Sequence, residues 1–540
     1  MQMAVVTPSP AIPSVSRLLV GLEVAALCPE IAMNNKKSPK CLIRLTQRKI
    51  CRLIVCRILI WTKKLRKAER RETGDRLRVI HAVLSQCLQL REVLTKLQES
   101  DGRLLSDYFV RVIARVIEDK DIPGHSREGT MPCRYQYEEV CMYMLRNVFL
   151  PCLEECNIKK FGSEFVHGLM SQSLHTITHI TRLILPDNTS NPVSQIIYDE
   201  LPKLTMLQEI IWKFTCTTRI IAVLARNCRL LRKLDVACSI NVTNNCVEDL
   251  LNMESLEILN VGGTGISEKS YALLLSRLPR IQSFFWKGRA DDVFRYITRA
   301  SLPLINEFSG VVTDASLLVR MCPHVKTLAV YLQSRNCSEL VNLSDLVVLE
   351  LSPCNYNTTN MGTVIENMGI RLTRLIMIQV ANVDIVQIIT SCSVLKILDL
   401  RYCRVITPEN FSLSPELPHF TSVNEIILSK NQDFRDFHKY LVHYVNLEVF
   451  HAHHVAEVDH AIISAILNAG GFRKLTKIVL AFCGHLKLDT AMLLIQKCDY
   501  LTFLGNMNTW RDFSEDDKQT LLDCIKVNNL AMFAYVEAMN

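Results

Sequence analysis

Few side chains in this sequence are spaced as chemistry would need them. The run His451-Ala452-His453-His454, with Asp459 and His460 just downstream, concentrates imidazoles. Two imidazoles two residues apart on a strand share a face, as a pair of metal ligands would. No Cys and no second helix-spaced pair completes a tetrahedral set, so the run reads as variable polar surface and no metal site is expected. Gly262-Gly263-Thr264-Gly265 lies between a strand pattern and a helix pattern, as a phosphate-cradling loop would. It lacks the Gly-Lys-Ser/Thr ending of such a loop and reads as a structural turn. The patterns of a nucleophile elbow, a zincin and a kinase are absent. The expectation is a chain that is not an enzyme and uses no cofactor, and the function class that remains is binding.

The elements that present these residues follow from internal repetition. The pattern Leu-x-x-Leu-x-Leu recurs, most clearly at Leu256 to Val261, Leu346 to Leu351 and Leu395 to Leu400. Weaker copies fill the gaps. Units begin at Ile180, Leu207, Leu231, Leu256, Ile281, Ile305, Val325, Leu346, Leu372, Leu395, Val423, Leu447, Leu475 and Leu501, 20 to 28 residues apart. That is the period of a repeat of about 20–29 residues with an alternating apolar strand signature. The fourth and sixth positions of each unit face a core, and the residues between them face outward. Segments such as Ser270 to Leu278 carry apolar residues at helical intervals, which predicts a helix in each repeat.

Composition agrees with a folded chain, at 49% apolar and 21% charged residues among 540. The formal charge of +8 is local. Between Lys36 and Arg71 there are 14 Lys or Arg against the single acid Glu69, an excess of +13 that leaves the rest of the chain at −5. A repeat region without a basic groove makes nucleic acid an unexpected partner along it. The basic run reads as a solvated cationic helix, with an import receptor, RNA or an anionic membrane as alternative partners. The 21 Cys lack the close spacing of a disulfide-rich domain and are expected to be reduced, small buried hydrophobes. Residues 1–33 lack the pattern of a secretory signal, and the apolar run from Ile50 to Trp61 is too short for a membrane span of about 20 residues. A cytoplasmic or nuclear location, with no membrane span, is expected.

The cysteines carry a resemblance. Cys228, Cys322, Cys392 and Cys498 each stand three residues before a unit's first apolar position, and Cys354, Cys403 and Cys483 each stand eight after it. The unit Cys392-Ser393-Val394-Leu395-Lys396-Ile397-Leu398-Asp399-Leu400-Arg401-Tyr402-Cys403 closely resembles the cysteine-containing leucine-rich repeat. The resemblance covers about two thirds of the chain. It is to the F-box/LRR substrate receptors of cullin-type (SCF-like) ubiquitin ligases, and ribonuclease-inhibitor-like proteins share the wider architecture. It implies an α/β solenoid, a horseshoe with one short parallel strand and one helix per repeat. It also implies recruitment of a protein for ubiquitin-dependent catabolism, with an adaptor and a cullin as further partners through the N-terminal helical region. A scaffold or inhibitor without a ligase, and a nucleic-acid-associated factor acting through residues 36–71, are the alternatives.

The region before the repeats departs from the family. Leu150-Pro151 offers the start of an F-box, but the large apolar run and the downstream Trp are missing, since Ile158-Lys159-Lys160-Phe161 follows. Ala82 to Leu88 matches an elongin-binding box faintly, with Arg91 where an apolar residue belongs. Both read as ordinary helix faces. The expected organisation is a disordered segment 1–40, a basic helical region 41–118, a linker loop 119–134, a helical cap 135–179 and a solenoid of about 14 units over 180–540.

On such a solenoid the outward strand positions line the concave face, where binding residues sit on a rigid frame. They are Phe285, Lys287, Tyr331, Glu350, Arg374, Ile376, Ile378, Asp399, Arg401, Ile427, His451, His453, Lys477 and Val479. Ile376, Ile378, Ile427 and Val479 have no core reason to be there, and exposed apolar surface framed by charge marks an interaction site. Phe285, Tyr331 and Arg374 are anchor types that protein interfaces favour. The expected partner on this face is a protein.

Overall fold

A computed structural model describes residues 58, 60–69, 73–95, 134–148 and 154–534, apart from 161–163, 178, 335, 407–420, 433–437 and 529–531. The expected disordered segment 1–40 lies outside these residues, as does the expected linker loop except Arg134, which begins a helix. The chain divides into two compact units, Met1–Leu207 and Gln208–Asn540.

In the first unit, helix Thr73–Thr95 packs on helix Arg134–Val148. Val83 and Cys87 are buried on the former, and Val140, Cys141, Met144 and Leu145 on the latter. Arg76 Nη2 reaches Glu139 Oε2 at 3.0 Å. Within the stretch that faintly matches an elongin-binding box, Val83 and Cys87 are inside and Leu88 is exposed. Two short strands follow, β1 (Glu155–Asn157) and β2 (Arg182–Ile184), paired in parallel with Cys156 opposite Leu183.

β1 corrects the expectation of a purely helical cap over 135–179. Leu153, Cys156 and Ile158 carry the apolar spacing of the later units, 27 residues before Ile180, with Cys in place of the second Leu. Cys156 and Ile158 are buried accordingly. The substitution hid one more unit of the repeat.

The second unit contains β3 (Glu209–Ile211), β4 (Lys233–Asp235), β5 (Ile258–Asn260), β6 (Ser283–Arg289), β7 (Glu307–Val312), β8 (Thr327–Leu332), β9 (Val348–Ser352), β10 (Arg374–Ile378), β11 (Ile397–Arg401), β12 (Glu425–Ser429), β13 (Val449–His453), β14 (Lys477–Ala481), β15 (Phe503–Gly505) and β16 (Phe533–Ala534). β3 to β5 form one parallel ladder and β6 to β16 another, each strand beside its sequence neighbours. Parallel strands need a crossover, and helices such as Thr218–Asn227, Glu268–Arg277, His460–Asn468 and Leu488–Lys497 provide it. Side chains start several of them. Thr217, Ser267 and Asp459 accept from the backbone N–H of Ile220, Ser270 and Ile462. This is a leucine-rich-repeat solenoid.

Each unit-leading residue from Ile180 to Leu501 is buried, none more than 8% exposed. One helix per repeat does not hold throughout. The Val325 unit spans 21 residues, and its return segment holds only a 3-10 turn, Ser338–Asn342. A tighter helix of about 2 Å rise per residue covers the return with fewer residues.

The ladder changes character between β5 and β6. Gln282 N–H still donates to Glu257 O at 2.7 Å. Leu259 N–H, however, donates to Ser283 Oγ at 2.9 Å, and Phe285 N–H to Tyr271 Oη at 2.8 Å. Tyr271 is fully buried and stacks on Trp286, ring centroids 5.1 Å apart. Two hydroxyls serve where carbonyls of a neighbouring strand would otherwise accept.

Candidate partner-binding face

The alternation along each strand sorts its side chains. Leu349, Leu375, Leu398, Ile426, Phe450 and Ile478 lie side by side in register and are all buried. The residues between them form rows across the outer face of the sheet. Arg374 and Lys477 belong to the first row. Phe285, Glu350, Ile376, Asp399, Ile427, His451 and Val479 belong to the second, with Ile376 opposite Asp399, Asp399 opposite Ile427 and Ile427 opposite His451. Tyr331, Ile378, Arg401 and His453 belong to the third.

Their exposure is uneven. Tyr331 (44%), Arg374, His453 and Lys287 stand in solvent. Phe285, Glu350, Ile378, Arg401, Ile427, His451, Lys477 and Val479 are half-buried. Ile376 and Asp399 are buried, which corrects their expected place among the exposed contact residues. The cause is lateral packing of rows along a ladder whose strands are only about 4.8 Å apart. Arg401 folds back on Asp399, with Nε to Oδ1 at 2.8 Å and Nη2 on Oδ2, so the carboxylate is covered by its own partner. That bond holds the Arg401 guanidinium still more firmly protonated.

The histidines do not converge. His451 is in the second row and His453 in the third, His460 Nδ1 lies 2.9 Å from Thr490 Oγ1, and Asp459 caps a helix. Among the described residues no three His, Cys, Asp or Glu side chains come together as a metal ion would need. Burial and the neighbouring Lys477 push His451 down to about 4 against the pull of Asp399, leaving it neutral at pH 7. Its Nε2 is buried without a partner among the described residues.

The Gly262–Gly265 turn is packing. Gly263 has φ +75°, and a Cβ there would meet Lys287 Cδ at 2.8 Å. Lys287 lies across this glycine and reaches Cys238 Sγ at 2.9 Å, so it is not free on the face as expected.

The cysteines play two structural parts. Cys228, Cys322, Cys392 and Cys498 end the helices before them, each N–H bonding four residues back. The carbonyls of Cys228, Cys392 and Cys498 then accept from Leu231, Leu395 and Leu501, which explains the spacing of three. Cys403 Sγ donates to Met377 O at 3.2 Å and Cys483 Sγ to Ala452 O at 3.4 Å, tying each strand exit to the preceding repeat. Asn431 does the same with its amide, donating to Leu400 O at 3.0 Å.

One row escaped sequence reading. Seven residues after the unit-leading position stand Phe214, Cys238, Gln379, Tyr402, Lys430, His454 and Phe482, all left-handed with φ between 49° and 67°. The conformation is forced by the ladder. Gln379, Tyr402, Lys430 and His454 each donate their N–H to the next repeat, at 2.6–2.9 Å, before the chain turns away. Non-glycine side chains enter this region at a cost of about 1–3 kcal/mol each. Tyr402 is 49% and Phe482 52% exposed. The constant spacing of seven was the available signal.

No protein-family model and no curated protein matches this sequence. Solved structures are similar at low identity. A chain of the yeast Rad7 and Elc1 complex is 10% identical over 87% of this chain and 96% of that one, with a TM-score of 0.36. The leucine-rich-repeat ectodomain of the Arabidopsis receptor kinase HAESA, solved with an N-terminally extended IDA peptide hormone, is 13% identical over 72% of this chain and 66% of that one, with a TM-score of 0.25. No described helix is long and apolar enough to cross a membrane.

Proposed function

We propose that this chain is a protein-recruiting scaffold that holds its partner against the outer strand face of the second unit. The observation that supports this reading is the rigid display of Tyr331, Arg374 and His453 in solvent from strands of one continuous parallel ladder. Side chains on such a frame lose little freedom on binding, and Tyr and Arg are residues on which interface energy concentrates. The finer reading is a substrate receptor of a cullin-type ubiquitin ligase in the cytoplasm or nucleus, supported by the resemblance of the cysteine-type repeat. Its adaptor would bind the N-terminal helical region.

Proximity labelling of the intact chain followed by capture on purified protein tests the first reading. Tyr331→Ala with Arg374→Glu should abolish capture and leave the melting temperature within a degree or two. Unchanged capture would sink the strand face as the site. Probing the same eluates for cullin and adaptor subunits tests the finer reading, which falls if neither is enriched.

A further inference from the structure

We propose that Cys238 and Lys287 form a modification site, at which a peroxide joins the cysteine sulfur to the lysine nitrogen. Lys287 Nζ lies 2.9 Å from Cys238 Sγ, although 49 positions separate the two residues in sequence. Of the described cysteines only Cys238, Cys354 and Cys524 are not buried, and of these three only Cys238 has a lysine against its sulfur. Its part differs from that of Cys403 and Cys483, whose Sγ donates to a carbonyl of the preceding repeat. Cys238 Sγ instead receives a hydrogen bond from an amine. Among the described residues Lys287 has no carboxylate partner, and Asp235, the acid nearest Cys238 in sequence, is held by Lys213 at 3.2 Å. The sulfur is what holds the end of this lysine.

The fold builds this approach. Lys287 sits where β6 slips register against β7, between Phe285 and Arg289, and a bulge of this kind re-aims a side chain. Its stem then crosses Gly263, where a Cβ would stand 2.8 Å from Lys287 Cδ and push the stem away. Cys238 is fixed from the same repeat, its N–H donating to Gly262 O at 2.9 Å. Adjacent glycines thus set both reacting groups. Cys238 is half-exposed and Lys287 exposed, so a small oxidant reaches them. The contact also passes from one ladder to the other, because Cys238 follows β4 and Lys287 belongs to β6.

The reaction consumes one peroxide and balances. The Cys238 thiolate attacks a peroxide oxygen, the O–O bond breaks, and a sulfenic acid and hydroxide result. That hydroxide takes a proton from the Lys287 ammonium and becomes water. The freed amine attacks the sulfur, forming an N–S bond and breaking the S–O bond. The departing hydroxide takes one of the two remaining amine protons and leaves as a second water. Sulfur has lost two electrons and the peroxide has gained them. Sulfenic acids condense with a nearby nitrogen in this way, and an amine already held against the sulfur has an effective concentration that a free amine lacks. Two equivalents of a thiol reverse the link, giving back Cys238 and Lys287 and leaving as a disulfide.

The test treats the full chain with hydrogen peroxide at pH 8, digests it and reads the peptides by mass spectrometry. The expected product joins the Cys238 peptide to the Lys287 peptide and is lighter than the two together by two hydrogens. Dithiothreitol should return both parts. Closing a loop removes freedom from the unfolded chain, so the melting temperature should rise by a few degrees on oxidation and fall back on reduction. Lys287→Arg keeps the cation but should give no cross-link and no rise, with Cys238 carried on to sulfenic or sulfinic acid. In the native chain, a Cys238 that stays a thiol, ends as a sulfinic acid, or pairs with another cysteine or a different lysine would overturn the proposal. So would an equal rise in melting temperature in Lys287→Arg. None of these outcomes depends on the strand-face reading, which stands or falls on partner capture.

Discussion

Arg401 covers Asp399, two residues earlier on the same strand, so a fully buried carboxylate in the outer row is held by a guanidinium that itself reaches solvent. The pair is an internal clasp across β11. It takes Arg401 out of the set of residues free to meet a partner and leaves Arg374 and Lys430 as the more available cations.

Removing one half of that clasp should be costly. Arg401→Ala leaves the Asp399 charge buried and uncompensated, and about 3 kcal/mol of stability is expected to be lost in urea titration. Replacing both by Leu should recover most of it, since apolar packing often equals a buried pair. Equal losses in the single and double variants would show that the packing of Arg401, not its charge, matters.

His451 predicts a pH dependence of stability. Its folded value of about 4 is below the ordinary value of 6.5, so the unfolded chain binds more protons between the two. Stability from this group is full above about pH 6.5, declines as pH falls and is gone below about pH 4. The change is at most about 2 kcal/mol after allowing for partial exposure. The variant His451→Gln should flatten that slope relative to the native chain in denaturation at pH 7 and pH 4.5, and parallel slopes would refute the assignment.

Tyr271→Phe keeps the stacked ring and deletes one oxygen. The Phe285 N–H then loses its acceptor, at an expected cost of about 1–3 kcal/mol. Hydrogen exchange at Phe285 should rise above that at Phe308, whose surroundings are unaltered. Unchanged exchange would mean that another acceptor takes over.

Among the described residues, thiol labelling should separate half-exposed cysteines from the buried set. Burial pushes the Cys392, Cys483 and Cys498 thiols up to about 12 and Cys403 to about 11, so all four should resist alkylation at pH 8 until the chain unfolds. Cys238, Cys354 and Cys524 are half-exposed; Cys238 and Cys524 should react before those four, as peptide mapping would show, whereas burial pushes the Cys354 thiol up to about 12 and slows it. Rapid labelling of Cys403 in the folded chain would contradict its bond to Met377 O.

The fold was readable because Leu-x-x-Leu-x-Leu states both period and facing, and lateral stacking of identical units leaves few alternatives. β1 was missed where Cys156 replaced a leucine. The alternation along each strand follows from the pattern, but the exposure of the residues between the core positions does not, because it depends on which side chains lie beside them, as Arg401 lies over Asp399. The left-handed corners were overlooked for the opposite reason: Tyr, Lys, His and Phe have no propensity for φ > 0, and tertiary hydrogen bonding imposes it.

The hydroxyl-mediated junction between β5 and β6 lies inside one compact unit, Gln208–Asn540. In a stacked array each repeat borrows its stability from its neighbours. Two side-chain oxygens, of Tyr271 and Ser283, therefore stand in the path by which residues 209–260 and 283–505 support one another, where backbone serves between strands such as β7 and β8. At this junction the identity of a side chain, and not only the period of the repeat, is part of what joins one strand to the next.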